Sequence, residues 1–180
     1  MSTSQALQAL VTQLLTLTGN PREGLPAPVF RLISQLTPLV NVDLLIQDSA
    51  GRTLLTWRAD EFYGPGWHIP GGIIRFKENA ATRIAQVAQG ELGCTVDFDP
   101  TPITLREVMA SERDIRGHFI SLLYRCRLKT LPAPGLAADA TTQLPLTNGQ
   151  WQWHESCPPD LIRAHHMYRP WIAAASPPHT

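Results

Sequence analysis

Prolines, 16 in 180 residues, punctuate this chain more densely than the roughly 5% of average usage. Each fixes φ and lacks a backbone donor, so no long helix or strand runs through them. The chain must fold from short elements, and the apolar residues say which. Leu7, Leu10, Val11 and Leu14 recur at helical spacing, and Gly19-Asn20-Pro21 stops that helix. A second helix starts at Pro26-Ala27-Pro28, uses Val29, Leu32, Ile33 and Leu36, and ends before Pro38. Both helices are expected to pack in the core or against a second copy of the chain.

The period then changes. Val40 to Gln47 reads as a strand, Asp48-Ser49-Ala50-Gly51 as a turn, and Arg52 to Trp57 as the partner strand of a hairpin. Residues 59–72 read as a loop. Residues 78–91 lack a helix breaker until Gly90 and put Ala81, Ile84, Ala85 and Ala88 on one face, so a helix is expected there. Strands follow at 94–98, 103–110 and 118–128. Residues 130–149 read as a long loop, Trp151 to His154 as a short strand, and Pro159 to Ala173 as a closing helix interrupted by Pro170. Ser176 to Thr180 should be a frayed tail.

Composition excludes several classes. Lys and Arg together number 15, Asp and Glu 15, so the net charge is zero and a broad grip on nucleic acid or an anionic membrane is not expected. Cys94, Cys126 and Cys157 form no Cys-x-x-Cys pair and no disulfide framework. His165-His166 has no carboxylate or cysteine nearby in sequence, which argues against zinc. There is neither a basic leader nor an apolar run of about 18 residues. A soluble, cytoplasmic setting is expected.

The informative stretch is Trp67-His68-Ile69-Pro70-Gly71-Gly72, then Glu78, then Gln86 to Cys94. It resembles the Nudix box, G-x5-E-x7-R-E-U-x-E-E-x-G-U with U aliphatic. Gly72, Glu78, Glu91 and Gly93 match at the family's spacing, and Ala88 and Cys94 fill apolar positions. The resemblance implies an α/β fold, a mixed sheet sandwiched between helices, carrying here an extra N-terminal helix. The expected division is a helical extension at 1–36, a Nudix domain at 37–175 and the tail at 176–180. The chemistry such a box serves is hydrolysis of an anionic diphosphate ester, where a divalent cation neutralises the phosphates. The Gly-Gly turn lets backbone come close to cation or phosphate, and carboxylates one helical turn apart converge on the same ion.

The helix face departs from the family. Gln86 replaces the box arginine, and Val87 and Gly90 replace the first two metal glutamates, leaving Glu91. Between 79 and 91 the charged side chains are Arg83 and Glu91. The chain is similar here to the GDP-mannose mannosyl hydrolases, which also lack those glutamates and keep a Glu-Leu-Gly ending, as in Glu91-Leu92-Gly93. That subgroup breaks the sugar carbon–oxygen bond with one glutamate and a Gly-Gly carbonyl on Mg2+. Mg2+ commonly takes one or two carboxylates and completes its shell with waters and phosphates.

Carried over residue by residue, the resemblance implies Glu91, Gly71 and Glu78 at the metal, Asp43 at the nucleobase and Arg58 at the diphosphate. Arg75 flanks the box as a further phosphate contact. The subgroup's Gln-His pair, a metal ligand and general base, falls on Thr147 and Asn148, and neither is a base at neutral pH. His154, His118 and Glu112 are the remaining candidates. The expected function is Mg2+-dependent hydrolysis of a nucleoside diphosphate sugar or related derivative, with Mn2+ as the alternative cation and a homodimer as the assembly. The competing expectation is a silenced domain that binds a nucleotide or a protein partner without chemistry.

Overall fold

The strand expected at 40–47 forms as β1, Leu39–Ile46, in the computed structural model, which describes residues 2–60, 63–138 and 145–172. Its side chains alternate between two buried layers. Val42, Leu44 and Ile46 pack with Ile84, Val87, Ala88 and Leu92 of the box helix. Leu45 faces the other way, onto Leu123, Tyr168 and Ile172. Strand β1 therefore lies in the middle layer. It pairs antiparallel with β4 (Gly71–Ile73) and parallel with β7 (His118–Leu128). Along its far edge β7 pairs antiparallel with β5 (Val96–Phe98) and β6 (Thr104–Met109). The result is a mixed sheet between the box helix and a C-terminal helical segment.

The expected hairpin does not form. Strand β2, Thr53–Arg58, belongs to a second sheet with β3 (Gly66–His68) and β8 (Trp151–His154), in the order β3-β2-β8. A single bridge between Gln47 and Thr53 joins it to the end of β1. The reason is that both edges of β1 are already taken, by β4 and β7. The turn itself forms as expected, with Asp48 accepting from the Ala50 and Arg52 amides. The presumed loop at 59–72 holds β3 and the start of β4. Strands of three residues show no sequence period.

Helix α3, Ala80–Val87, starts at Asn79, whose side chain accepts from the Thr82 amide at 2.8 Å. It continues as one wider π-helical turn over Ala88–Leu92 and stops at Gly93, which is left-handed at φ 63°. The wide turn keeps Ala88 and Leu92 fully buried while Glu91 reaches across to β4.

Helices α1 (Thr3–Thr18) and α2 (Ala27–Leu36) end at Gly19 and before Pro38 as expected. Core packing does not follow for α1. None of its residues is buried, and Leu17 is 79% exposed. The segment after it nonetheless touches the rest of the molecule. Arg75 donates to the Arg22 carbonyl at 3.1 Å, and the Phe30 ring lies 5.6 Å from the Arg116 guanidinium. The closing helix is a 3-10 stretch over Arg163–Tyr168 followed by α4, Arg169–Ile172. Residues 173–180 lie outside the described residues, so the frayed tail is not addressed. Among the described residues no helix is long and apolar enough to cross a membrane.

Candidate active site

A cleft of about 170 Å³ opens where β1 and β4 meet the C-terminal segment. Its floor is a buried polar chain. The Ser121 hydroxyl donates to Asn41 Oδ1 at 2.8 Å, and Asn41 Nδ2 donates to Asp43 Oδ1 at 2.9 Å. The Tyr168 hydroxyl donates to Asp43 Oδ2 at 2.6 Å. Burial pushes the Asp43 carboxyl up to about 7, against the pull of these donors. The folded protein thus holds a proton that the unfolded chain releases above the ordinary aspartate range. This part of the stability is present in acid and is lost as pH rises toward 7. The expected result is that Asp43→Asn loses less stability than the parent between pH 5 and pH 8. Urea midpoints at the two pH values check it.

Two arginines, Arg58 and Arg116, line the cleft with the Tyr63 and Phe119 rings. Arg58 is ion-paired with Asp60 and lies 5.2 Å from the Tyr63 ring. Arg116 lies 5.5 Å from the same ring. A second hollow of about 310 Å³ adjoins through Tyr63, Arg116 and Phe119. Paired arginines beside aromatic faces suit a diphosphate next to a flat base.

Two imidazoles stand in the wall. His68 Nδ1 lies 2.8 Å from the Thr56 carbonyl, and His165 Nδ1 accepts from the Ile69 amide at 3.1 Å. Burial drives both rings toward the neutral form, aided by the Arg58 charge, and His68 falls to about 4. Glu91 borders the cleft behind His68 and Gly71. Its Oε1 accepts from the Gly71 amide at 3.4 Å, and its Oε2 lies 3.8 Å from His68 Nε2. About a third of the side chain, 32%, stays accessible. Desolvation raises its carboxyl to about 7, with Asp43 adding to the rise and the Gly71 amide and Arg58 opposing it. The basic group at its outer oxygen is a neutral imidazole, so a cation there would favour the ionised carboxylate.

The two box glycines are packing requirements. A Cβ at Gly71 would overlap the Asp43 carboxylate and lie 2.9 Å from the Val42 carbonyl. At Gly72 it would lie 2.8 Å from Val87 Cγ2. Gly71→Ala should therefore lower stability by about 1–3 kcal/mol, seen as a lower urea midpoint at unchanged slope.

No family model matches the chain. Over 79 residues it is 33% identical to the low-salt glycan biosynthesis protein Agl8 of Haloferax volcanii, covering 44% of this chain and 50% of that one. The chain thus spans about half the length of that curated relative. A MutT Nudix hydrolase from Burkholderia pseudomallei superposes with a TM-score of 0.57 at 19% identity, covering 76% of this chain and 98% of that one. A UDP-X diphosphatase superposes with a TM-score of 0.52 at 14% identity, covering 93% and 76%. The chain has the Nudix fold.

Within that fold the expected residues separate. Asp43, Arg58 and Gly71 line the cleft, and Glu91 borders it. Asp43 forms the floor, and both its oxygens are occupied. Glu78 is engaged elsewhere. Its carboxylate takes a bidentate pair from Arg83, at 2.8 and 3.0 Å, and the Arg75 amide at 2.8 Å. Arg75 extends toward Arg22. Val87 is buried in the core, and a Cβ at Gly90 would meet nothing. Of the base candidates, His154 packs on Trp67 with centroids 4.6 Å apart, and His118 pairs with Glu107 at 3.0 Å. Glu112 lines only the adjoining hollow. Asn148 does not line the cleft either, and its Oδ1 accepts from the Ala59 amide. Among the described residues no three His, Cys, Asp or Glu side chains form a ready-made metal cage.

Sequence reasoning missed Arg116, Tyr63, Tyr168, and the inward place of His68 and His165. Tyr168 is the one with a readable signal, as one of two large aromatics, with Trp171, in the closing segment.

Proposed function

We propose that this Nudix-fold protein is a divalent-cation-dependent hydrolase of a nucleoside diphosphate derivative, with a nucleotide sugar as its substrate. The observation that carries the reading is Glu91 at the box spacing, held by the Gly71 amide at the edge of a cleft that contains Arg58 and Arg116. The donor set fits Mg2+ or Mn2+. Glu91 would supply one carboxylate and the Gly71 carbonyl a backbone oxygen, with water and phosphate oxygens among the other ligands. Once bound, such a cation neutralises the diphosphate and improves it as a leaving group.

The chain's own residues do the remainder. Arg58 and Arg116 hold the diphosphate by charge-assisted hydrogen bonds. Tyr63 and Phe119 offer faces to the base. The Ser121–Asn41–Asp43–Tyr168 chain keeps the floor rigid. With a single glutamate available, attack falls on the sugar carbon rather than on phosphorus. Water forms the new carbon–oxygen bond, the nucleoside diphosphate leaves with the bridging oxygen, and the proton passes to solvent. Similarity to a glycan biosynthesis protein is in keeping with an activated sugar as substrate.

Incubation with a panel of nucleotide sugars and Mg2+, followed by phosphorus NMR, tests this. Release of a nucleoside diphosphate, stopped by chelator, is expected; no turnover on any substrate would sink the proposal. The core place of Val87 and the bare Gly90 favour a second reading, a binding domain without chemistry. Calorimetry showing tight nucleotide-sugar binding indifferent to Mg2+, with no product, supports that one instead.

A further inference from the structure

We propose that His68 is a ligand of the divalent cation, gripping it with Glu91 in place of the two absent box glutamates. This rests on Glu91 being a cation ligand, as proposed above. A backbone carbonyl only accepts, so Thr56 fixes the hydrogen of His68 on Nδ1, at 2.8 Å, and leaves the lone pair on Nε2. Anchoring of the far ring nitrogen on a carbonyl is the usual support of a metal-binding histidine.

Nε2 and Glu91 Oε2 are 3.8 Å apart. That is too long for a hydrogen bond. It suits two donors that each stand about 2.1 Å from one ion, since such donors lie roughly 3–4 Å from each other. Glu91 Oε1 is turned away, toward the Gly71 amide. Thr56 Oγ1 lies 3.3 Å from both ring nitrogens, a contact to Nε2 that a bound cation would replace. The ring is also pre-positioned. His68 sits opposite Thr56 in the β2–β3 register, with 12% of its side chain accessible.

An imidazole changes which ion is preferred. Oxygen-only shells suit Mg2+, whereas a nitrogen donor raises affinity along the first-row series and favours Mn2+, Co2+ or Zn2+ over Mg2+. The full-length protein would be titrated with Mn2+ and followed by electron paramagnetic resonance, with Mg2+ as competitor. Bound Mn2+ should show nitrogen modulation in the electron spin echo. His68→Gln should remove the modulation, weaken Mn2+ by about tenfold or more, and narrow the preference over Mg2+. Wild-type protein that binds Mn2+ without nitrogen modulation overturns the proposal, as does modulation that persists in His68→Gln. In either case, weakening by Glu91→Gln leaves the reading of Glu91 standing. If Mn2+ does not bind at all, or Glu91→Gln binds it unchanged, both readings fall.

Discussion

Glu91→Gln is expected to reduce hydrolysis by about a hundredfold to a thousandfold while leaving the melting temperature nearly unchanged. Gln has the shape of Glu but no charge, so the Gly71 amide keeps an acceptor and the side chain keeps its place. In the proposed reading the substitution removes the carboxylate that holds the cation, a contribution of several kcal/mol to charge stabilisation, where each 1.4 kcal/mol or so is tenfold in rate. The effect should be larger than in a site with several carboxylates. The neighbouring positions are Val87, in the core, and Gly90, without a side chain, and neither can substitute. Steady-state turnover and a thermal melt on the same preparation check it. A fall in activity that tracks a fall in stability would assign Glu91 a structural role instead.

The second large effect is on stability. Arg83 and Glu78 form a bidentate ion pair with side chains only 9% and 7% accessible. Breaking one side leaves an uncompensated buried charge, which costs about 3–5 kcal/mol. In a chain of 180 residues that corresponds to a drop in Tm on the order of 10 °C. Arg83→Met should show it, and Arg83→Met with Glu78→Met should recover much of the loss, because two apolar side chains leave no charge behind. Burial works to raise the Glu78 carboxyl, but the Arg75 amide and Arg83 outweigh it and hold it below the ordinary glutamate value. The sign follows. This stabilisation is present above the unfolded glutamate range and is lost as pH falls through the lowered folded value. The penalty of Arg83→Met should therefore shrink in acid. A melting temperature unchanged by either single substitution would contradict the assignment.

How much of this was legible in the sequence depends on the range of the interaction. The box spacing placed Glu91 and Gly71 because helix and turn geometry are local. Helix α3 was readable for the same reason, from Ile84 and its neighbours. The β1–β2 hairpin was misread because local pattern gives a strand and a turn, but not whether the edges of β1 are free. His68 read as a loop residue, yet the three-residue strand β3 turns its ring inward against Thr56. Nothing near His68 in sequence signals that pairing. Glu78 was legible as a box carboxylate, but its engagement by Arg83 depends on how the turn before the helix folds back. Arg116 reaches the cleft from a turn where its own φ is 56°, a conformation no side-chain pattern announces.

In the proposed reaction one glutamate suffices because attack falls on the sugar carbon. Turnover of a nucleotide sugar in water enriched in heavy oxygen tests it most directly. Mass spectrometry of the products should find the label in the free sugar and none in the nucleoside diphosphate. Label in a phosphate product would mean attack at phosphorus, the route that calls for the carboxylates replaced here by Val87 and Gly90, and would contradict the account.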